Sequence, residues 1–275
     1  MRAPAVTLLL AAAAAAGLTG KTFAADPVAP PAPQPAIPAL ANGWSFELTP
    51  YIWGAGLSGK VSPFSSAPTV RVERSFSEIL EELNLAGFVN FHATNGRFGA
   101  YADVMYVDTR EDHATGPVTL PGFGPVPGVN VNLDTKLFNA ALFGTYRLAD
   151  TERLALDALA GVRVFRAWAD VSAAIPGTPN AYRAKSDFGW VDPAVGARLE
   201  YDFGKGLGFV GQADVGGSSW GSDLTWQAMG AVTYDVSSAT AVSLGYKYLS
   251  VDYARDGHLL DVDMQGPTLG LTFRF

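Results

Sequence analysis

The tightest constraint in this sequence is an alternation of apolar with polar or small residues, sustained over runs of about ten residues or more. At the C-terminus Leu269, Leu271, Phe273 and Phe275 alternate with Thr268, Gly270, Thr272 and Arg274. Val242, Leu244, Tyr246 and Tyr248 do the same against Ser243, Gly245 and Lys247. So do Leu154, Leu156, Ala158, Ala160, Val162 and Val164 against Ala155, Asp157, Gly161 and Arg163. A period of two gives a strand one apolar face and one polar face. Runs of this length are long for a soluble sandwich and suit tilted membrane strands of ~9–11 residues.

Ten such strands are expected: Trp44–Lys60, Leu85–Thr94, Arg97–Thr109, Val131–Arg147, Arg153–Ser172, Ala184–Asp202, Leu207–Gly217, Ser222–Asp235, Ala239–Tyr253 and Leu260–Phe275. Their connections alternate. Asn95-Gly96 reads as a tight primed turn, and Leu148–Glu152, Phe203–Gly206 and Val236–Ser238 are also short. The connections Val61–Asn84, Arg110–Asn130, Ala173–Arg183 and Ala254–Leu259 are longer, and a compact Gly-Ser-Ser-Trp-Gly stretch surrounds Trp220. Short turns on one side and long loops on the other are the pattern of a transmembrane barrel. An even strand number places both ends of the barrel on the short-turn, periplasmic side. Such a sheet must close, because an open edge would leave unpaired N–H and C=O groups in hydrocarbon. The expected fold is therefore all-β: a closed antiparallel transmembrane β-barrel of about ten strands, with eight as the alternative count.

Aromatic residues fall where two membrane interfaces would lie: Trp44, Phe46, Tyr146, Tyr201, Tyr234, Phe273 and Phe275 near one end, Tyr106, Trp168 and Tyr248 toward the other. Residues 1–24 read as a signal peptide. Arg2 is followed by an uncharged apolar run from Val6 to Ala16, and cleavage is expected after Ala24. Residues 25–43 form a Pro/Ala-rich periplasmic linker of polyproline character, leaving 44–275 as the barrel. The chain has no Cys and carries 19 basic against 26 acidic side chains. That excludes thiolate metal sites and argues against nucleic acid, which demands a basic face.

Strand phase puts Glu47, Asp103, Asp157, Asp192, Glu200 and Asp214 on the lumen face with Arg163, Arg198, Lys247 and Arg274; His92, Asn90, Asn139, Gln212 and Gln227 join them. Eight strands leave room only for side chains, and only ~16–18 leave an open channel. A packed ion-pair network is favoured over a cation-selective lining, with a narrow or gated path as the sharper alternative. Within the first long connection, Ser75 and Glu78 form a capping box. The helix it starts carries Phe76, Ile79, Leu80 and Leu83 on one face, readable either as a lid over the mouth or as a helix packed on the rim. His113 beside Asp112, and His258 near Asp256 and Asp261, are the only outline of a loop-face hydrolase, and no catalytic residue, cofactor or metal ligand set is assigned.

Several motifs resemble one small proteobacterial outer-membrane β-barrel family, often labelled porin-like and largely uncharacterised. They are Pro50-Tyr51-Ile52-Trp53, Ser75-Phe76-Ser77-Glu78-Ile79-Leu80, Trp190-Val191-Asp192-Pro193, the stretch Gly221 to Ala228, Tyr246-Lys247-Tyr248-Leu249, and Gly266-Pro267 running into Phe275. The resemblance covers roughly Trp44 to the end. It implies a location in the outer membrane of a Gram-negative bacterium, contact with its lipid and lipopolysaccharide, and terminal aromatics Phe273 and Phe275 read by the barrel-assembly machinery. It implies no established activity. A structural barrel or narrow solute path is the leading expectation, and surface recognition through the long loops the alternative.

Overall fold

The computed structural model describes residues 43–64, 69–114, 118–120, 124–126, 130–174 and 181–275. The expected signal peptide and linker lie outside these. Among the described residues fourteen strands and one helix follow one another: β1 (Ser45–Trp53), β2 (Gly56–Ser62), β3 (Val70–Arg74), α1 (Phe76–Glu81), β4 (Leu83–Thr94), β5 (Phe98–Ala114), β6 (Val118–Leu120), β7 (Gly124–Val126), β8 (Asn130–Asp150), β9 (Leu154–Ala174), β10 (Ala181–Gly204), β11 (Leu207–Gly216), β12 (Leu224–Ser237), β13 (Thr240–Arg255) and β14 (His258–Arg274).

Twelve of the strands make one antiparallel sheet, which closes where β1 pairs with β14, Leu48 opposite Phe273. The twelve amount to ten staves, because β1 and β2 are collinear along β14, and β3 and β4 are the two halves of the next stave. The first stave breaks for a local reason. Pro267 on β14 has no N–H, so the ladder ends at Trp53 opposite Thr268 and resumes at Gly56 opposite Gln265. Beyond the last stave, backbone bonds of 2.9 and 3.0 Å tie Phe275 to Phe46 and complete the seam.

Three local expectations change. Asn95-Gly96 is not a primed turn: Gly96 alone has positive φ, and the Asn95 side chain accepts from the N–H groups of Arg97 and Phe98. Ala254–Leu259 is not a long loop. Asp256 and Gly257 both take positive φ, and β13 and β14 meet in a two-residue hairpin of the Asp-Gly kind. The segment after Thr109 stays in register with β8, Arg110 opposite Asp134 and Ala114 opposite Asn130, so β5 runs on to Ala114. With β8, β9 and β10 at 21, 21 and 24 residues against 10 for β11, the wall stands much taller on one side.

Outward positions are apolar for the half of each stave nearest the short turns; Leu271, Leu269, Leu244, Val232, Val195 and Ile52 are all solvent-facing in the isolated chain. A soluble protein would not leave so continuous an apolar belt uncovered. Aromatic pairs border it: Trp44–Phe46, Phe46–Phe275, Phe98–Tyr146 and Tyr201–Phe203 at the short-turn end, Trp226 on Tyr248 at the other. Beyond the far border the outer face turns ionic, with Arg166–Asp187 at 2.8 Å, Lys185–Asp170 at 2.7 Å and Lys136–Asp108 at 3.2 Å.

Helix α1 forms as its capping box requires: Ser75 Oγ accepts from the Glu78 N–H, and Glu78 accepts from the Ser75 N–H at 2.7 Å. It is not a lid. Phe76 lies by Gly54 and Pro267, whose β14 position faces outward. Phe76 and Leu80 are exposed on the outer wall, Ile79 and Leu83 half-buried. The helix interrupts the second stave where it crosses the break in the first, so its turn bulges away from the lumen. Arg74 ties the insertion at its base, reaching Glu82 at 3.3 Å and Glu111 at 2.5 Å.

Candidate functional site

The lumen is filled in three layers. The layer toward the long loops is aromatic and aliphatic. Trp190 stacks on Phe165 at 4.8 Å and on Tyr253 at 3.8 Å, and Trp53, Met105, Leu249, Val251, Val262 and Met264 pack around them. Sequence reasoning reserved the large apolar residues for the lipid face and so missed this layer. Its signal was present: Phe165 shares the phase of Arg163, and Leu249, Val251 and Tyr253 share that of Lys247.

The waist is a buried polar network. Lys247 Nζ donates to Asp103 Oδ2 at 2.5 Å and to the Tyr51 hydroxyl at 2.9 Å, while that hydroxyl donates to Asp103 Oδ1 at 2.8 Å. Arg163 pairs with Asp214 and donates to Gln227 at 3.3 Å. Arg163 and Asp192 are 0% exposed, Lys247 1% and Asp103 2%. Asp192 has no cationic partner among the described residues; it collects donors instead. Trp190 Nε1 at 2.9 Å, Ser218 Oγ at 3.2 Å, the Ser222 N–H at 2.9 Å and Ser222 Oγ at 2.5 Å all point to it. The β11–β12 connection is thereby pinned into the barrel, and a Cβ on Gly221 would overlap Asp192 Oδ1.

Four of the six motifs that carry the family resemblance converge here. Tyr51 and Trp53, Trp190 and Asp192, Ser222, Thr225 and Gln227, and Lys247 and Leu249 all point inward and are buried. Separate in sequence, they meet as the plug of the barrel.

The third layer lines a chamber of about 360 Å³ at the short-turn end. Arg198 donates through Nε at 3.1 Å and Nη2 at 2.7 Å to Glu200 Oε1. Arg274 reaches Glu47 at 3.0 Å and Asp235 at 2.6 Å. His92 is buried beside Glu47 and Glu200. Asp157 faces inward as well and pairs with Arg147 at 2.6 Å, a partner the phase argument passed over although Arg147 shares the inward phase of Asn139. Of the hydrolase outline, His258 stacks on Phe188 at 4.5 Å, and its Nδ1 lies 2.9 Å from the Pro63 carbonyl. The side chain of His113 lies outside the described residues.

A closed ten-stave antiparallel barrel with an apolar outer belt, aromatic borders and a polar filled lumen has the fold of the small outer-membrane β-barrels. No protein-family model matches the chain, and no curated protein matches its sequence. Among solved structures it is similar to the outer membrane protease OmpT from Escherichia coli, at 11% identity and a TM-score of 0.44 over 84% of this chain and 96% of that one. It is also similar to the translocator domain of autotransporter NalP from Neisseria meningitidis, at 11% identity and 0.43 over 85% and 88%. A third is Ail, the attachment invasion locus protein of Yersinia pestis, at 12% identity and 0.28 over 85% and 99%.

Proposed function

We propose that the protein is an integral barrel of a Gram-negative outer membrane, acting as a sealed scaffold rather than a solute channel and offering a recognition surface at its long-loop end. The filled waist carries this reading. Arg163, Lys247, Asn139, Gln227, Phe165 and Leu249 all face the lumen and are no more than 1% exposed. Side chains facing a water-filled pore would keep accessible surface, as the chamber residues Glu47 and Glu200 do. A barrel near the filled limit reaches this state whenever its inward residues are large.

The tall wall supports the second half of the proposal. Strands β8 to β10 rise beyond the apolar belt by about ten residues, ~30 Å along the strand. Their outer face there is an ionic surface suited to a hydrophilic partner. Exposed elements on a rigid scaffold are the usual carriers of function. In this reading the short turns face the periplasm, the belt contacts lipid and lipopolysaccharide, and Phe273 and Phe275, exposed at the closing seam, serve as the assembly signal. No catalytic role is assigned. The test is swelling of proteoliposomes loaded with an impermeant polymer: vesicles carrying the folded barrel should swell in small sugars no faster than empty ones. Porin-like swelling would overturn the proposal.

A further inference from the structure

We propose that the chamber at the short-turn end binds a first-row divalent cation, zinc fitting best, on Glu47, His92 and Glu200. These residues come from three staves, β1, β4 and β10, and offer one donor atom each within 4.8 Å of one another. His92 Nδ1 lies 3.8 Å from Glu47 Oε2 and 3.9 Å from Glu200 Oε1. Both distances exceed hydrogen-bond length, ~2.7–3.2 Å. Two ligands sharing a tetrahedral zinc at ~2.0–2.1 Å stand about 3.4 Å apart, so a shift of roughly half an ångström brings His92 to that separation from each carboxylate, and the two carboxylates close from within 4.8 Å of each other.

The imidazole is the independent observation. His92 is only 6% exposed, and its Nε2 is buried without a hydrogen-bond partner. A buried imidazole ordinarily satisfies both nitrogens. Here Nδ1 is aimed between two carboxylates that it does not reach, the arrangement expected of a ring waiting on a shared atom. The surroundings already resemble an outer shell. Arg274 holds Glu47 through Oε1 and leaves its Oε2 facing His92, while Arg198 holds Glu200 through the same Oε1 that faces His92, an oxygen a cation would share with the guanidinium. With Asp235 on Arg274, the carboxylates outnumber the guanidiniums by one before any cation arrives. One imidazole with two carboxylates favours zinc and its neighbours over magnesium or calcium, which take oxygen-only sets. Three protein ligands leave a fourth position open to the chamber. The site is independent of whether the lumen conducts.

The experiment uses the untagged chain, refolded in detergent, stripped with chelator and checked for the heat-dependent gel mobility of a folded barrel. Zinc is titrated by calorimetry, and cobalt(II) is followed by its visible absorption. One equivalent of zinc should bind, and cobalt should give tetrahedral-type visible bands. His92→Gln and Glu200→Gln should each weaken zinc about tenfold or more and erase those bands, while His258→Gln changes neither. Absence of stoichiometric binding to the folded chain overturns the proposal, and so does undiminished binding in folded His92→Gln.

Discussion

Asp192 is the residue whose removal tests the packing argument most sharply. Its carboxylate is 0% exposed and its charge is compensated by four donors, two of them on Ser222. Hydroxyls can turn toward other acceptors. The Ser222 N–H and Trp190 Nε1 are fixed by the backbone and by ring stacking, and cannot. Hydrogen bonds to a charged group contribute ~1.5–3 kcal/mol each. Losing the two fixed ones puts Asp192→Ala about 3–6 kcal/mol below the parent. Asp192→Asn keeps the shape and one acceptor oxygen, so it should cost about half as much. Glu152→Ala, on an exposed turn, should stay within about 0.5 kcal/mol. The assay is urea unfolding in lipid vesicles followed by tryptophan fluorescence, with Trp190 among the six reporters. If Asp192→Ala unfolds within about 1 kcal/mol of the parent, the claim that Asp192 pins the β11–β12 connection is refuted.

Other consequences are as definite. Asp103→Ala leaves the Lys247 ammonium buried without its carboxylate and should cost about 3–5 kcal/mol in the same assay; replacing Lys247 by Met as well should recover much of that loss. Gly221→Ala should destabilise the barrel because its methyl group takes the space of Asp192 Oδ1, whereas Gly87→Ala, with open space around it, should be nearly neutral. Beyond the belt, Lys185 holds the Asp170 carboxyl, and Arg166 the Asp187 carboxyl, below the ordinary value of 3.8. A lowered folded pKa stabilises fully above the unfolded value and is lost as pH falls through the folded one. Amide exchange at the tops of β9 and β10 should therefore be unaffected by pairing changes from pH 7 down to about 4 and lose protection only below that, after correction for the intrinsic rate. Protection lost already near pH 6 would contradict this.

The architecture was legible because a membrane barrel is written in a period of two, which survives in any single strand. Ten staves, the two aromatic borders and the capping box at Ser75 and Glu78 follow from residues adjacent in sequence. So does the inward phase of Arg163, Asp192 and Lys247, since alternation alone decides which face a side chain takes. What the inward residues meet is not local. The Arg163–Asp214 pair spans the sequence from β9 to β11, and Lys247 finds Asp103 144 positions away. The position of α1 was ambiguous because its apolar stripe suits a lid over the mouth and a helix packed on the rim equally. Pro267 decided the matter through the strand break it imposes. The Asp256-Gly257 hairpin was readable and was passed over in favour of loop length.

The central claim, a barrel closed by its own side chains, is tested most directly by single-channel recording of the refolded chain in a planar bilayer, with folding verified on the same sample. The account predicts a silent bilayer for the parent, and equal silence after residues 75–82 are replaced by a short linker, because α1 lies on the outer wall and closes nothing. Steady, stepwise conductance from the parent would contradict it, and larger steps on removing α1 would restore the helix as a lid.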